Sequence, residues 1–105
     1  MLDATTSLTV QARVPNPYVH VDNRGLILCN GLRCVCVPAS QLRTCAETLE
    51  IIAAEKRATR AQGPHLVGGY IDGGYVVLYA GTVDDLVSVS LNSSEFDSLR
   101  GVMAS

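Results

Sequence analysis

The sequence has no tryptophan and a single phenylalanine, and only 17% of its residues are charged. No stretch of about 18 uninterrupted apolar residues occurs, which excludes a membrane-spanning helix of ordinary length. No Cys-x-x-Cys pair occurs either, so the thiol spacing of zinc knuckles and dithiol redox sites is missing. Gly-Lys-Ser/Thr is absent. Gly68-Gly69 and Gly73-Gly74 neither follow a strand nor open a helix as a phosphate loop must. Basic excess is lacking as well: the net charge is −2, which argues against a general nucleic-acid binder.

What is present is a great deal of apolar material in a short chain, 48% of 105 residues. Residues 1–105 read as one small domain. Small domains bury a limited fraction of their surface, so self-association is a natural way to hide the excess. Charge is distributed unevenly: residues 1–60 carry seven Arg and Lys against five acids, and residues 61–105 carry Arg100 alone against five. The opening MLDATTSLTVQ lacks a basic segment followed by an apolar one and does not read as a signal peptide. A cytoplasmic or otherwise intracellular protein with reduced thiols is therefore expected.

The segment Leu26 to Leu49, LILCNGLRCVCVPASQLRTCAETL, organises the chain. It reads as strand, tight turn, strand and helix, with Asn30-Gly31 the hairpin signal, because such turns need positive φ. The pattern returns from Val76 to Met103. Leu26 to Gly31 aligns with Val76 to Gly81, Leu32 to Val37 with Leu86 to Leu91, and Ser40-Gln41-Leu42 with Ser94-Glu95-Phe96. The chain thus reads as two divergent hairpin-plus-helix repeats, about 18–62 and 65–105, preceded by an N-terminal strand at about 7–14. The expected fold is α+β: one antiparallel sheet of about six or seven strands, with both helices packed on one face.

In chain order, Met1 to Thr6 reads as a frayed end, and Pro15-Asn16-Pro17 interrupts the strand pattern. Tyr18 to Asp22 is a second strand, turning at Asn23-Arg24. Pro38-Ala39-Ser40 opens a helix that runs to about Gln62. Leu42, Cys45, Ala46, Leu49, Ile52 and Ala53 share one side of it. Lys56, Arg57 and Arg60 fall near its C-terminal end, where cations favour the helix dipole. His65 to Ile71 and Gly74 to Tyr79 form a hairpin around Asp72-Gly73. Gly81 to Asp85 reads as a polar loop. Asn92-Ser93-Ser94-Glu95 has the form of a capping box ahead of Phe96, Leu99 and Met103.

Alternation along the strands divides the sheet into two faces. With Asn30-Gly31 as the central turn residues, Leu28 faces Arg33, Ile27 faces Cys34 and Leu26 faces Val35. One face is then aliphatic: Val19, Val21, Leu26, Leu28, Val35 and Val37, and in the second repeat Ile71, Val76, Leu78, Val87, Val89 and Leu91. The other holds Tyr18, His20, Ile27, Cys29, Leu32, Cys34 and Cys36, and then Tyr70, Tyr75, Val77, Tyr79, Ser88 and Ser90. A solvated face would carry Lys, Glu, Arg and Thr, whereas this one is small, aromatic and nearly uncharged. Such faces mark interaction surfaces, and tyrosine is enriched at them.

Cys34 and Cys36 project in parallel from one strand, about 7 Å apart, and Cys45 lies on the helix side. The cysteines do not converge on a metal, and His20 sits two strands from Cys34 with no third group to orient it. Cys29, Cys34 and Cys36 read as small hydrophobes, with serine at two matching positions of the second repeat. No catalytic residue, metal or cofactor is expected. Tyr70 opposite Tyr75, with Tyr79 nearby, forms an aromatic cluster that suits protein contact or, with a basic groove, single-stranded nucleic acid.

The ending Val89 to Leu99, VSLNSSEFDSL, is similar to the strand-then-helix ending of PC4-like single-strand-binding domains. That resemblance implies strands followed by a helix and binding of single-stranded nucleic acid. The leading expectation is a non-catalytic binding module, an adaptor or inhibitor of the kind viruses and mobile elements encode. It would act through Tyr18, His20, Ile27, Cys29, Cys34, Tyr70, Tyr75, Val77 and Tyr79, as a homodimer or on another protein partner, with no membrane contact. The alternative is single-stranded nucleic-acid binding through the same tyrosines. A third reading is a thiol or metal enzyme using Cys29, Cys34 or Cys36.

Overall fold

In a computed structural model, residues 8–11, 18–61 and 63–104 are described, the first four by their backbone alone. The expectations for Met1 to Thr6, for Pro15-Asn16-Pro17, for the ends of the first strand and for Gln62 lie outside these residues. The elements are β1 (Leu8–Gln11), β2 (Tyr18–Asp22), β3 (Gly25–Asn30), β4 (Arg33–Pro38), α1 (Leu42–Glu55), β5 (Thr59–Ala61), β6 (Leu66–Asp72), β7 (Tyr75–Thr82), β8 (Asp85–Asn92) and α2 (Ser93–Met103). A 3-10 turn, Ala39–Gln41, leads into α1.

The fold is α+β and antiparallel, but the strands form two sheets rather than one. Their orders are β1-β2-β3-β4 (sheet A) and β5-β6-β7-β8 (sheet B), each a meander followed by a helix. The single sheet expected from the sequence is corrected on this point. The physical reason lies after Glu55. Lys56 takes a left-handed backbone with φ 55 and ends α1. The next residues pair as β5 with β6, Thr59 opposite Gly69 and Ala61 opposite Val67. The helix expected to reach Gln62 therefore ends seven residues earlier, and a new sheet begins.

Turn positions also differ from expectation by one residue. The first hairpin turns at Gly31-Leu32, with Asn30 opposite Arg33 and Cys29 opposite Cys34. The third turns at Gly73-Gly74, placing Tyr70 opposite Val77 and Asp72 opposite Tyr75. In both cases glycine takes the first central position, with φ 67 at Gly31 and 62 at Gly73, where only glycine is unstrained. Moving a turn by one residue changes each cross-strand partner by two. Side chains alternate with period two, so every residue keeps its face. The expected polar loop at Gly81–Asp85 is instead a two-residue turn at Val83-Asp84, with Thr82 opposite Asp85.

The aliphatic faces meet in one interior. Val19, Val21, Leu26, Leu28 and Val37 of sheet A cluster with Val67, Val76, Leu78, Ala80, Val87, Val89 and Leu91 of sheet B. Helix α1 adds Cys45, Leu49 and Ile52, and α2 adds Phe96, Leu99 and Met103. Helix α1 lies against β5 and β6, the sheet that follows it, while α2 reaches back to β1 and β2 as well as β8. The capping box expected at α2 is present: Asn92 Oδ1 accepts from the Glu95 backbone N–H at 2.8 Å, and Glu95 accepts from the Asn92 N–H at 2.8 Å. No helix among the described residues is long and apolar enough to cross a membrane.

Polar contacts brace the two sheets at one corner. The Asn30 side-chain amide donates to the Ser88 carbonyl at 2.9 Å, and Arg33 donates to the Leu86 carbonyl at 2.9 Å and to the Asp85 carboxylate. These two residues form the last pair of the β3–β4 hairpin, and their targets lie on β8 at the margin of sheet B. They occupy carbonyls that an open edge strand would otherwise present to another chain.

Gly25 has φ 149, and a Cβ there would strike the Val37 carbonyl. Gly25→Ala is expected to lower unfolding free energy by about 2–4 kcal/mol in a denaturant titration. Gly101, inside α2 with open space around it, gives the opposite outcome: Gly101→Ala should gain about 0.5–1 kcal/mol. Equal effects at both sites would contradict the register described.

Candidate interaction surface

The division into two sheets also divides the expected interaction face. Tyr18, His20, Ile27, Cys29 and Cys34 lie on the outer face of sheet A, while Tyr70, Tyr75, Val77 and Tyr79 lie on the outer face of sheet B. The structure brings together the members of each set, but not the two sets as one continuous face.

On sheet B the tyrosines form a platform. Tyr70 and Tyr75 are 42% and 41% exposed, large values for residues in paired strands. The Tyr70 and Tyr79 rings lie 6.5 Å apart at a 43° tilt, within the range of favourable aromatic pairs. Val77, between β6 and β8, is buried although it belongs to the outer face. Ser88 and Ser90 continue the surface across β8.

The glycine pair Gly68-Gly69 makes this platform fit. A Cβ on Gly68 would stand 2.5 Å from the Tyr79 hydroxyl oxygen and 2.8 Å from the Thr59 carbonyl oxygen. The Tyr79 ring therefore lies across β6 where a side chain would otherwise project. A Cβ on Gly69, on the opposite face, would meet Ile52 Cδ1 at 3.0 Å, so this glycine admits α1 instead. Arg60 stands opposite Gly68 in the register and is exposed. It forms no ion pair among the described residues, and it sits at the margin of the tyrosine cluster.

The outer face of sheet A is more polar at one end and sulfur-rich at the other. Asp22 accepts from the Arg24 guanidinium and backbone N–H, each at 2.8 Å, and His20 Nε2 lies 3.1 Å from its carboxylate. The Arg24 side chain foremost holds the Asp22 carboxyl far below the usual carboxylate range. At the other end Cys29 and Cys34 are joined by a disulfide, with Cα atoms 4.1 Å apart. The expectation of reduced thiols is thus corrected for this pair. The one-residue shift in the turn brings Cys34 opposite Cys29 rather than Ile27, and directly opposed residues are the ones close enough to bridge. Cys36 is exposed and free, and Cys45 is buried.

His20, Ile27 and Cys36 form one row across three strands. His20 and Cys36 are therefore separated by two strand spacings, about 9–10 Å, too far for proton transfer between them. Sequence reasoning did not find the disulfide, the Arg24–Asp22–His20 contacts or the Asn30 and Arg33 brace. Each depends on a register or a sheet boundary that a single hairpin pattern does not determine. No family model, curated protein or solved structure matches the chain.

Burial pushes the Cys45 thiol from its ordinary 9.0 up to about 11. A raised value favours the protonated thiol in the folded state. Its contribution to stability is complete below pH 9 and is lost as pH rises towards 11. Cys45→Ala should be less stable at neutral pH, through lost packing, yet lose less stability than the parent between pH 9 and pH 11 by chemical denaturation. Parallel alkaline losses would contradict burial of a neutral thiol.

Proposed function

We propose that this protein is a non-catalytic binding module whose working surface is the outer face of sheet B, and that a second copy of the chain is its first partner. The observation that carries this reading is the tyrosine platform: exposed Tyr70 and Tyr75 with half-buried Tyr79 around Val77, and Ser88 and Ser90 beside them. Charged groups, Arg60 and Asp72, stand only at its margins. Two such faces can stack without bringing like charges together, and tyrosine contributes much contact area at little conformational cost. The same surface would serve an adaptor or inhibitor docking on a different protein.

The duplication read from the sequence belongs to this proposal. Leu26–Val37, Leu28–Val35 and Cys29–Cys34 are cross-strand pairs in sheet A. The residues aligned with them, Val76–Leu91, Leu78–Val89 and Tyr79–Ser88, are cross-strand pairs in sheet B. One ancestral hairpin-plus-helix unit accounts for this agreement. It also accounts for divergence on the outer faces, where a bridged cysteine pair in one half stands where tyrosine and serine stand in the other.

A second reading has an observation of its own. Arg60 stands opposite Gly68, the residue over which the Tyr79 ring lies, and so sets a cation at the margin of a stacking surface; each half follows the strands-then-helix order of the PC4-like domains that the chain's ending resembles. Single-stranded nucleic acid would lie along the tyrosines with Arg60 on its backbone.

Sedimentation velocity over a concentration series separates these readings. Tyr75→Ser with Tyr79→Ser should weaken self-association by about tenfold or more, as loss of central aromatic anchors does, with little dependence on salt. A parent protein that stays monomeric at all concentrations, or a variant with unchanged association, would defeat the leading reading. Salt-sensitive binding of an oligothymidylate that is lost in Arg60→Ala would establish the second.

A further inference from the structure

Besides the tyrosine platform, a second feature stands apart. A cavity of about 460 Å³ opens between the C-terminal end of α1, the Gly73-Gly74 turn and the first turns of α2, a size typical of small-molecule sites. Its floor is apolar: Ile52, Ile71, Val76 and Phe96. Ile71 belongs to the inner, aliphatic face of sheet B, yet it is 39% exposed. The other Val, Leu and Ile residues of that face are all buried, none above 8%. One position of the interior is thus left uncovered, and it opens into this cavity.

The rim supplies charge of one predominant sign. Lys56 borders the cavity and forms no ion pair among the described residues. It is the one non-glycine residue with positive φ among them, at a helix end where glycine is usual. A lysine kept in a strained backbone conformation at the border of an apolar hollow, with no ion pair among the described residues, points to a role beyond ending the helix. Arg100 is the second cation; its guanidinium lies 5.8 Å from the centre of the Phe96 ring and binds Glu50 and Asp97. Asp97 is the only acid lining the cavity among the described residues, and Arg100 engages it at 3.0 Å. Lys56 is left as the cation available to a ligand.

We infer that this cavity binds a small amphipathic carboxylate, its apolar body on Ile71, Val76 and Phe96 and its carboxylate on the Lys56 ammonium. The ligand covers Ile71 and completes the interior, and the charge-assisted contact with Lys56 selects the anionic head. Among the described residues only Tyr75 borders both this cavity and the sheet B platform, so the inference does not depend on the proposed function.

The test uses the full chain labelled with nitrogen-15, titrated below micellar concentration with decanoate, decanol and decyltrimethylammonium. Decanoate should shift the amide signals of Ile71, Val76 and Phe96. Decanol should bind about tenfold more weakly, in keeping with loss of one charge-assisted hydrogen bond, and the cationic amphiphile should not bind there. Lys56→Gly separates binding from folding. It relieves the left-handed strain, so the denaturation midpoint should rise, while decanoate affinity should fall to that of decanol. Ile71→Gln should weaken decanoate and decanol alike. The inference is overturned if decanoate produces no shifts, if its shifts map to Tyr70 and Tyr79 instead, if all three amphiphiles bind equally, or if Lys56→Gly leaves decanoate affinity unchanged.

Discussion

Each sheet carries one uniformly aliphatic face, and neither face can be left in water. That constraint shapes everything else in the molecule. Val19, Val21, Leu26, Leu28 and Val37 cannot be covered by α1 alone, because α1 spends its apolar side on β5 and β6. The inner face of sheet A is covered instead by sheet B and α2, so the halves fold around a shared interior rather than two small ones. For a chain of this length a single larger core is the more stable arrangement, since small cores bury too little surface to offset chain entropy. The brace from Asn30 and Arg33 to β8 sits where the hairpin of one sheet reaches the margin of the other. It aligns two surfaces that hydrophobic contact alone would leave free to slide.

Much of this arrangement could be read from period. Two-residue alternation assigned the strand residues to faces, and those assignments survived an error in turn position because the error was even in its effect on partners. The spacing of Leu42, Cys45, Leu49 and Ile52 placed α1, and Asn92 with Glu95 marked the start of α2, because a capping box is a local device. What could not be read was non-local. Nothing in Glu55-Lys56-Arg57 announces a left-handed turn, since lysine is a common helix residue and the strain at Lys56 is visible only in the backbone. The three-residue strand β5 is too short to show a period. Whether hairpins join into one sheet or two depends on which edges pair, and edge pairing leaves no periodic trace. The disulfide was missed for a narrower reason: opposition of Cys29 and Cys34 depends on a single step in the turn.

The candidate surface was legible as composition but not as shape. Tyr70, Tyr75, Val77 and Tyr79 were expected together and lie together. Tyr18, His20, Ile27, Cys29 and Cys34 were expected beside them and belong to the other sheet. The role of Gly68-Gly69 emerged only in three dimensions, where one glycine admits an aromatic ring on the outer face and its neighbour admits a helix on the inner face. The tyrosine platform and the close seating of α1 thus depend on adjacent residues. The cavity beside Lys56 has the same character, because its floor is an inner-face isoleucine that neither helix covers.

The proposed binding depends above all on the outer face of sheet B meeting a partner. Hydroxyl-radical footprinting of the protein across a concentration series tests this directly. Tyr70 and Tyr75 should become protected as concentration rises, while Leu32 and Val83, exposed at hairpin tips, keep their labelling. Protection confined to Tyr18 and Cys36, or labelling of the tyrosines that does not change with concentration, would contradict it.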